Sequence, residues 1–124
     1  MVKAFVEAEA YNGPSIIIAY SHCIAHGIDM INGLTEQKNA VASGYWPLYR
    51  YNPQFTDQGK NPLMLDSKEP QIPFSDYAYN ENRYRVLKKI DPKRADKLMK
   101  FAQQNVTQRF KLYKQLSELD YKRN

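Results

Sequence analysis

The chain has 124 residues, 43% hydrophobic and 25% charged, which is the composition of one ordinary globular domain and excludes a disordered or fibrous protein. Its longest purely apolar run, 16–20, is far short of the roughly 20 residues of a membrane span, and no apolar signal stretch with a cleavage site opens the sequence. One cysteine forms no internal disulfide, so a reducing, cytoplasmic setting is expected.

Val2, Phe5, Val6 and Ala10 recur at helical spacing and predict an amphipathic first helix, closed by the turn signal Asn12-Gly13-Pro14. Residues 15–20, Ser-Ile-Ile-Ile-Ala-Tyr, are β-branched and apolar without alternation, the pattern of a strand buried on both faces of a parallel sheet. Ser21, His22 and Cys23 then fall at the carboxyl end of that strand, where open α/β sheets place their ligands. Thr35 is a candidate N-cap for a short helix ending near Gly44. Residues 45–51 are rich in aromatics but hold Pro47, which has no N–H for a ladder, so an edge strand is expected there. From Gln54 to Pro73 the reading is a long surface loop interrupted by a very short strand at 63–65. Phe74 before Ser75 resembles a hydrophobic staple ahead of an N-cap, with Tyr79 to receive it and a helix running to about Ile90. Asp91-Pro92 is a strong second start signal. Ala95, Leu98, Met99, Ala102, Val106, Phe110, Tyr113 and Leu116 follow at helical spacing, predicting one long helix over about 92–118.

The formal net charge of +5 is concentrated late, in Lys88, Lys89, Lys93, Arg94, Lys97, Lys100, Lys122 and Arg123. No finger spacing, arginine-glycine tract or helix-turn-helix glycine accompanies it, so a solvated helix face is expected and nucleic acid is not an expected partner. Glu7 and Glu9, two apart on a helix, point to different faces and read as solvated. The sequence shows no nucleophile elbow and no phosphate-binding glycine loop. Tyr45, Trp46, Tyr49 and Tyr51 read as cover for a core rather than a base-stacking surface.

The metal-capable side chains His22, Cys23 and His26 lie close together, but a structural zinc site needs four well-spaced ligands, and no other Cys or His completes the set. Hydrogen-bonded packing is expected for the two histidines. Taken by itself, Cys23 reads as a buried inert thiol, or as one member of a four-cysteine iron–sulfur set completed from elsewhere.

The run Gly13-Pro-Ser-Ile-Ile-Ile-Ala-Tyr-Ser-His-Cys-Ile-Ala-His-Gly27 resembles the pyruvate:ferredoxin (flavodoxin) oxidoreductase family. The likeness continues through Gln37-Lys-Asn-Ala-Val41, Gly44-Tyr-Trp-Pro-Leu-Tyr-Arg-Tyr51, Gly59-Lys-Asn-Pro-Leu63 and Leu65-Asp-Ser-Lys-Glu-Pro70. It covers most of the chain, while the helix from Pro92 matches in character more than in individual residues. The resemblance implies an α/β fold, a C-terminal piece of a thiamine-diphosphate-binding domain carrying part of a parallel sheet and a long last helix, as a single unit over 1–124. It implies an enzyme that oxidatively decarboxylates pyruvate with coenzyme A to acetyl-CoA and carbon dioxide, passing electrons singly through [4Fe-4S] clusters to ferredoxin or flavodoxin. It assigns Cys23 as one ligand of the cluster nearest the thiamine, the other three lying upstream in the family. The Gly-Asp-Gly and following Asn that hold magnesium and thiamine diphosphate have no counterpart in this chain. The isolated chain is therefore expected to be inactive, without a cofactor of its own, and prone to self-association through a strand that has lost its neighbours. The rival expectation is a stand-alone interaction or scaffold protein derived from that domain.

Overall fold

The computed structural model describes residues 2–121; the charged tail residues Lys122 and Arg123 lie outside them. In chain order the elements are α1 (Val2–Ala10), two 3-10 turns (Ile24–His26 and Met30–Asn32), α2 (Gly33–Ala42), β1 (Tyr49–Tyr51), α3 (Gln54–Asp57), β2 (Leu63–Leu65), α4 (Phe74–Ala78), α5 (Asn82–Ile90) and α6 (Pro92–Ser117). The fold is rich in helix. Its sheet has two strands, paired antiparallel with Tyr49 opposite Leu65 and Tyr51 opposite Leu63.

Helix α6 is the spine. Asp91 caps it by accepting from Arg94 N at 3.0 Å, and Pro92 stands in the first turn, where its missing N–H costs nothing. Its 26 residues extend for about 39 Å at roughly 1.5 Å per residue. Ala95, Val106 and Phe110 are its buried positions, one stripe of the expected apolar face. At its far end Asn61 Nδ2 donates to the carbonyl of Leu116 at 2.8 Å, satisfying a terminal acceptor the helix leaves open, and to that of Leu119, just beyond the helix, at 3.1 Å. Tyr113 stacks on Tyr49 of β1 with ring centres 4.9 Å apart, which fastens the hairpin to the spine.

The core is aromatic and lies where α2, α4 and α6 meet: Ala40, Phe74, Tyr77, Ala78 and Val106, with Tyr20, Tyr45, Trp46, Tyr84, Met99 and Ala102 packed around them. Tyr45 stacks on both Phe74 and Tyr77, at 5.4 and 4.9 Å between ring centres, and Tyr20 stacks on Trp46 at 5.2 Å. The expected core role of Tyr45 and Trp46 is what the structure shows.

Several expectations need correction. The helix expected from Ser75 to Ile90 is two helices, because Asn80 bends back to donate to Asp76 O at 2.7 Å and so competes with the backbone ladder. Ser75 is not the N-cap. Pro73 holds that position, and the open Phe74 N–H is satisfied by Gln103 Oε1 of α6 at 2.7 Å. Helix α2 starts at Gly33, after Asn32, rather than at a Thr35 cap. Glu7 is not merely solvated: with Asp66 it grips Arg50, at 2.5 and 2.7 Å, and ties α1 to the hairpin. The Arg50 guanidinium holds the Asp66 carboxyl below the usual carboxylate range.

The largest departure concerns 15–20, which lies in no helix or strand. Ile16, Ile17 and Ile18 are 88%, 41% and 73% exposed. A strand apolar on both sides needs neighbours along its edges and cover on its faces, and among the described residues only Tyr20 at its end enters the core. Helix α1 also buries no residue.

The core makes two measurable predictions. Phe74→Ala should destabilise the chain in urea by about 3–5 kcal/mol, because a ring only 3% exposed is lost from among Tyr45, stacked on it, and Tyr77 and Tyr84, tilted and edge-on to it. Glu36, 3% exposed, has its carboxyl pushed above the usual range by burial, partly offset by the Asn80 amide. A raised carboxyl favours folding below the ordinary carboxylate range, and that contribution is lost as pH rises through the folded value. Glu36→Gln should therefore be the more stable form at neutral pH, by on the order of 1 kcal/mol, with the difference vanishing in acid when both are titrated by denaturant.

Candidate functional site

The candidate site is the loop 20–27, whose two ends are held and whose middle is open. Cys23 precedes the 3-10 turn with extended backbone, φ −134° and ψ 138°, and makes no side-chain cap bond. The turn closes through His26 N to Cys23 O at 3.0 Å and Gly27 N to Ile24 O at 2.9 Å. Gly27 has φ +70°, and a Cβ there would come 2.5 Å from Asn82 Cβ, so both conformation and space require glycine. Asn82 N donates to Gly27 O at 3.1 Å, docking the turn on the start of α5.

Cys23 is exposed, which removes its reading as a buried inert thiol. The flanking histidines are half-buried, and the Nδ1 atoms of His22 and His26 are both buried with no hydrogen-bond partner. The hydrogen-bonded packing expected for them is not found at those nitrogens. His22 lies over Gly33, where a Cβ would come 2.5 Å from its Nε2. Among the described residues no three His, Cys, Asp or Glu side chains converge on a common ion position. One accessible soft thiol is a donor suited to one corner of a shared thiolate site.

Behind the loop runs a buried polar chain that sequence reasoning missed. Tyr20 OH lies 2.5 Å from Tyr77 OH, and Tyr77 OH donates to Glu81 Oε1 at 3.2 Å. Arg83 Nε sits 2.5 Å from Glu81 Oε2, as an ion pair whose N–H is not well aligned with that oxygen. Burial pushes the hydroxyls of Tyr20 and Tyr77 upward, which keeps them protonated donors. The side chain of Glu36 accepts from Asn80 at 3.0 Å nearby. The only advance signal was Tyr77 and Glu81 at helical i, i+4 spacing, and it gave no hint of burial.

Lys88, Lys89, Lys93, Arg94, Lys97 and Lys100 are exposed, and Arg85, Lys88 and Lys89 line a shallow hollow of about 280 Å³ with Tyr79. Lys88 Nζ rests 4.4 Å over the Tyr79 ring. No helix among the described residues is long and apolar enough to cross a membrane.

No family model matches the chain. It is 53% identical over 116 residues to the pyruvate-flavodoxin oxidoreductase of Trichormus variabilis, and 50% identical over 118 residues to the pyruvate:ferredoxin oxidoreductase of Moorella thermoacetica. It is 47% identical over 119 residues to a mitochondrial pyruvate dehydrogenase [NADP(+)] of Euglena gracilis. These matches take in 94–95% of this chain but only 10%, 10% and 7% of the respective relatives. With half its residues identical over nearly its whole length, the chain is homologous to one segment, about a tenth, of the pyruvate-flavodoxin and pyruvate:ferredoxin oxidoreductases.

Proposed function

We propose that this chain works as a segment of an oxidoreductase that decarboxylates pyruvate with coenzyme A to acetyl-CoA and carbon dioxide, and that Cys23 supplies one thiolate to a [4Fe-4S] cluster in it. The observation that carries the reading is the open thiol at the middle of a loop fixed at both ends, in a sequence about half identical to enzymes named for this chemistry. Such a cluster takes four thiolates, and the chain has one cysteine, so three ligands come from elsewhere in the oxidoreductase. The cluster, when bound, supplies one-electron transfer. The chain's own part is to present the Cys23 thiolate at a fixed place. Thiamine diphosphate and its magnesium are held by other parts of the enzyme, since the motif for them is not in this sequence. Ferredoxin or flavodoxin is the proposed electron acceptor, and a reduced thiolate ligand fits a cytoplasmic location.

The bare residues 15–20 fit the same reading. Three consecutive isoleucines exposed on both sides suit a strand that joins a parallel sheet of a thiamine-binding domain, its edges and faces supplied by the remaining polypeptide.

In the complete oxidoreductase, Cys23→Ala should remove or convert one cluster while leaving the others assembled, as read by iron counting and electron paramagnetic resonance. Unchanged iron with unchanged pyruvate-dependent acceptor reduction would refute the ligand assignment. The chain alone should reduce no one-electron dye from pyruvate. For the strand, Ile18→Ala should change the stability of the isolated chain by no more than about 0.5 kcal/mol, yet cost about 2–5 kcal/mol in the complete enzyme. The isolated chain should self-associate in sedimentation, and Ile16→Ser with Ile18→Ser should reduce that association; equal behaviour of the two forms would count against the strand assignment.

A further inference from the structure

We infer that Glu81 is a positioning residue for the Cys23 thiolate, an inference that rests on reading Cys23 as a cluster ligand. Glu81 is fully buried, with 0% exposure, at the junction between α4 and α5. Both ends of the loop 20–27 are fastened to that one junction. Upstream of Cys23, Tyr20 is held by Tyr77, whose hydroxyl is in turn held by Glu81 Oε1. Downstream, Gly27 O is held by the N–H of Asn82, the residue next to Glu81. The side chain of Glu81 thus secures one end of the loop, and the backbone beside it secures the other.

A buried ion pair is a poor source of net stability, because the cost of desolvating both charges roughly offsets their attraction, and an apolar pair of similar shape does as well. What a carboxyl group offers here and an apolar side chain does not is direction. One oxygen fixes the Tyr77 hydroxyl, and the other faces Arg83, which is itself partly exposed. A residue outside the ligand shell that fixes the orientation of a ligand-bearing segment commonly changes metal affinity by 10–100-fold when it is altered.

The test uses the complete oxidoreductase with its clusters assembled, and compares Glu81→Gln, Asn82→Pro and Cys23→Ala. Glutamine keeps the shape at 81, removes the negative charge and offers one acceptor in place of two, so that its NH2 group must face either the Tyr77 hydroxyl or the Arg83 N–H and one of the two directions set by the carboxylate is lost. Proline suits the first position of α5, which follows an extended residue, and removes the N–H that holds Gly27 O. In both variants the cluster that Cys23→Ala abolishes should release iron to a chelator about tenfold faster, with the other clusters unchanged. In Glu81→Gln its reduction potential should also rise, since a buried negative charge has gone, whereas Asn82→Pro should leave the potential near that of the parent enzyme. Unaltered iron release and potential in Glu81→Gln, or equal changes in every cluster, would overturn the inference while the ligand role of Cys23 stood. Unchanged iron in Cys23→Ala would overturn both.

Discussion

The contact between α4 and α6 sets the rest of the molecule in place. Phe74 and Tyr77 project from one short helix, Val106 from the long one, and Tyr45 lies against both rings of α4. A five-residue helix has too few internal hydrogen bonds to persist by itself, so α4 exists because its rings are buried and because Gln103 of α6 satisfies its first open N–H. Once α4 is seated, the chain must turn at Tyr79 and Asn80, and that turn delivers Glu81 into the interior and Asn82 to the loop carrying Cys23. The position of the thiol is therefore a consequence of aromatic packing some distance along the chain.

How much of this could be read in advance depended on how local its causes are. Asp91-Pro92 and the apolar positions behind it determine α6 from adjacent residues alone, and the helix runs over Pro92–Ser117 as its spacing implies. Leu63-Met-Leu65 forms the expected short strand, bounded by Pro62 and Asp66 and paired with Tyr49–Tyr51. The break between α4 and α5 depends instead on the Asn80 amide, which bonds both to Asp76 O and to Glu36, forty-four residues earlier. Nothing near Asn80 in sequence announces that partner. The sheet is a two-strand antiparallel hairpin and not the expected parallel sheet for a related reason: residues 16–18 have strand chemistry, but a strand is a relation between neighbours, and among the described residues no strand pairs with them.

Burial of polar groups follows the same economy of partners. Tyr20, Tyr77 and Glu81 are tolerable inside because each hydroxyl finds an oxygen, and burial raises the tyrosines' pKa values so that they remain able to donate. The exceptions among the described residues are Nδ1 of His22, Nδ1 of His26, Oε1 of Glu36 and Oε2 of Glu81, which are buried without a hydrogen-bond partner, the last facing Arg83 as an ion pair. Orphaned buried atoms each cost roughly 1–3 kcal/mol. Two of them belong to the histidines that flank Cys23 in sequence.

A ligand shared between distant parts of a polypeptide must satisfy two opposing requirements. It must be open to the surface where its fellow ligands arrive, yet it must not lose much conformational entropy on binding, which costs about 1–2 kcal/mol for each backbone residue that is fixed. A free loop meets the first requirement and fails the second; a core residue does the reverse. The loop 20–27 satisfies both, since Tyr20 and Gly27 are anchored to a single junction, the turn between them closes on its own backbone, and the cysteine side chain is exposed along with those of Ser21, Ile24 and Ala25. On the proposed reading of Cys23 as a ligand, most of the backbone ordering needed for ligation is thus completed when this segment folds.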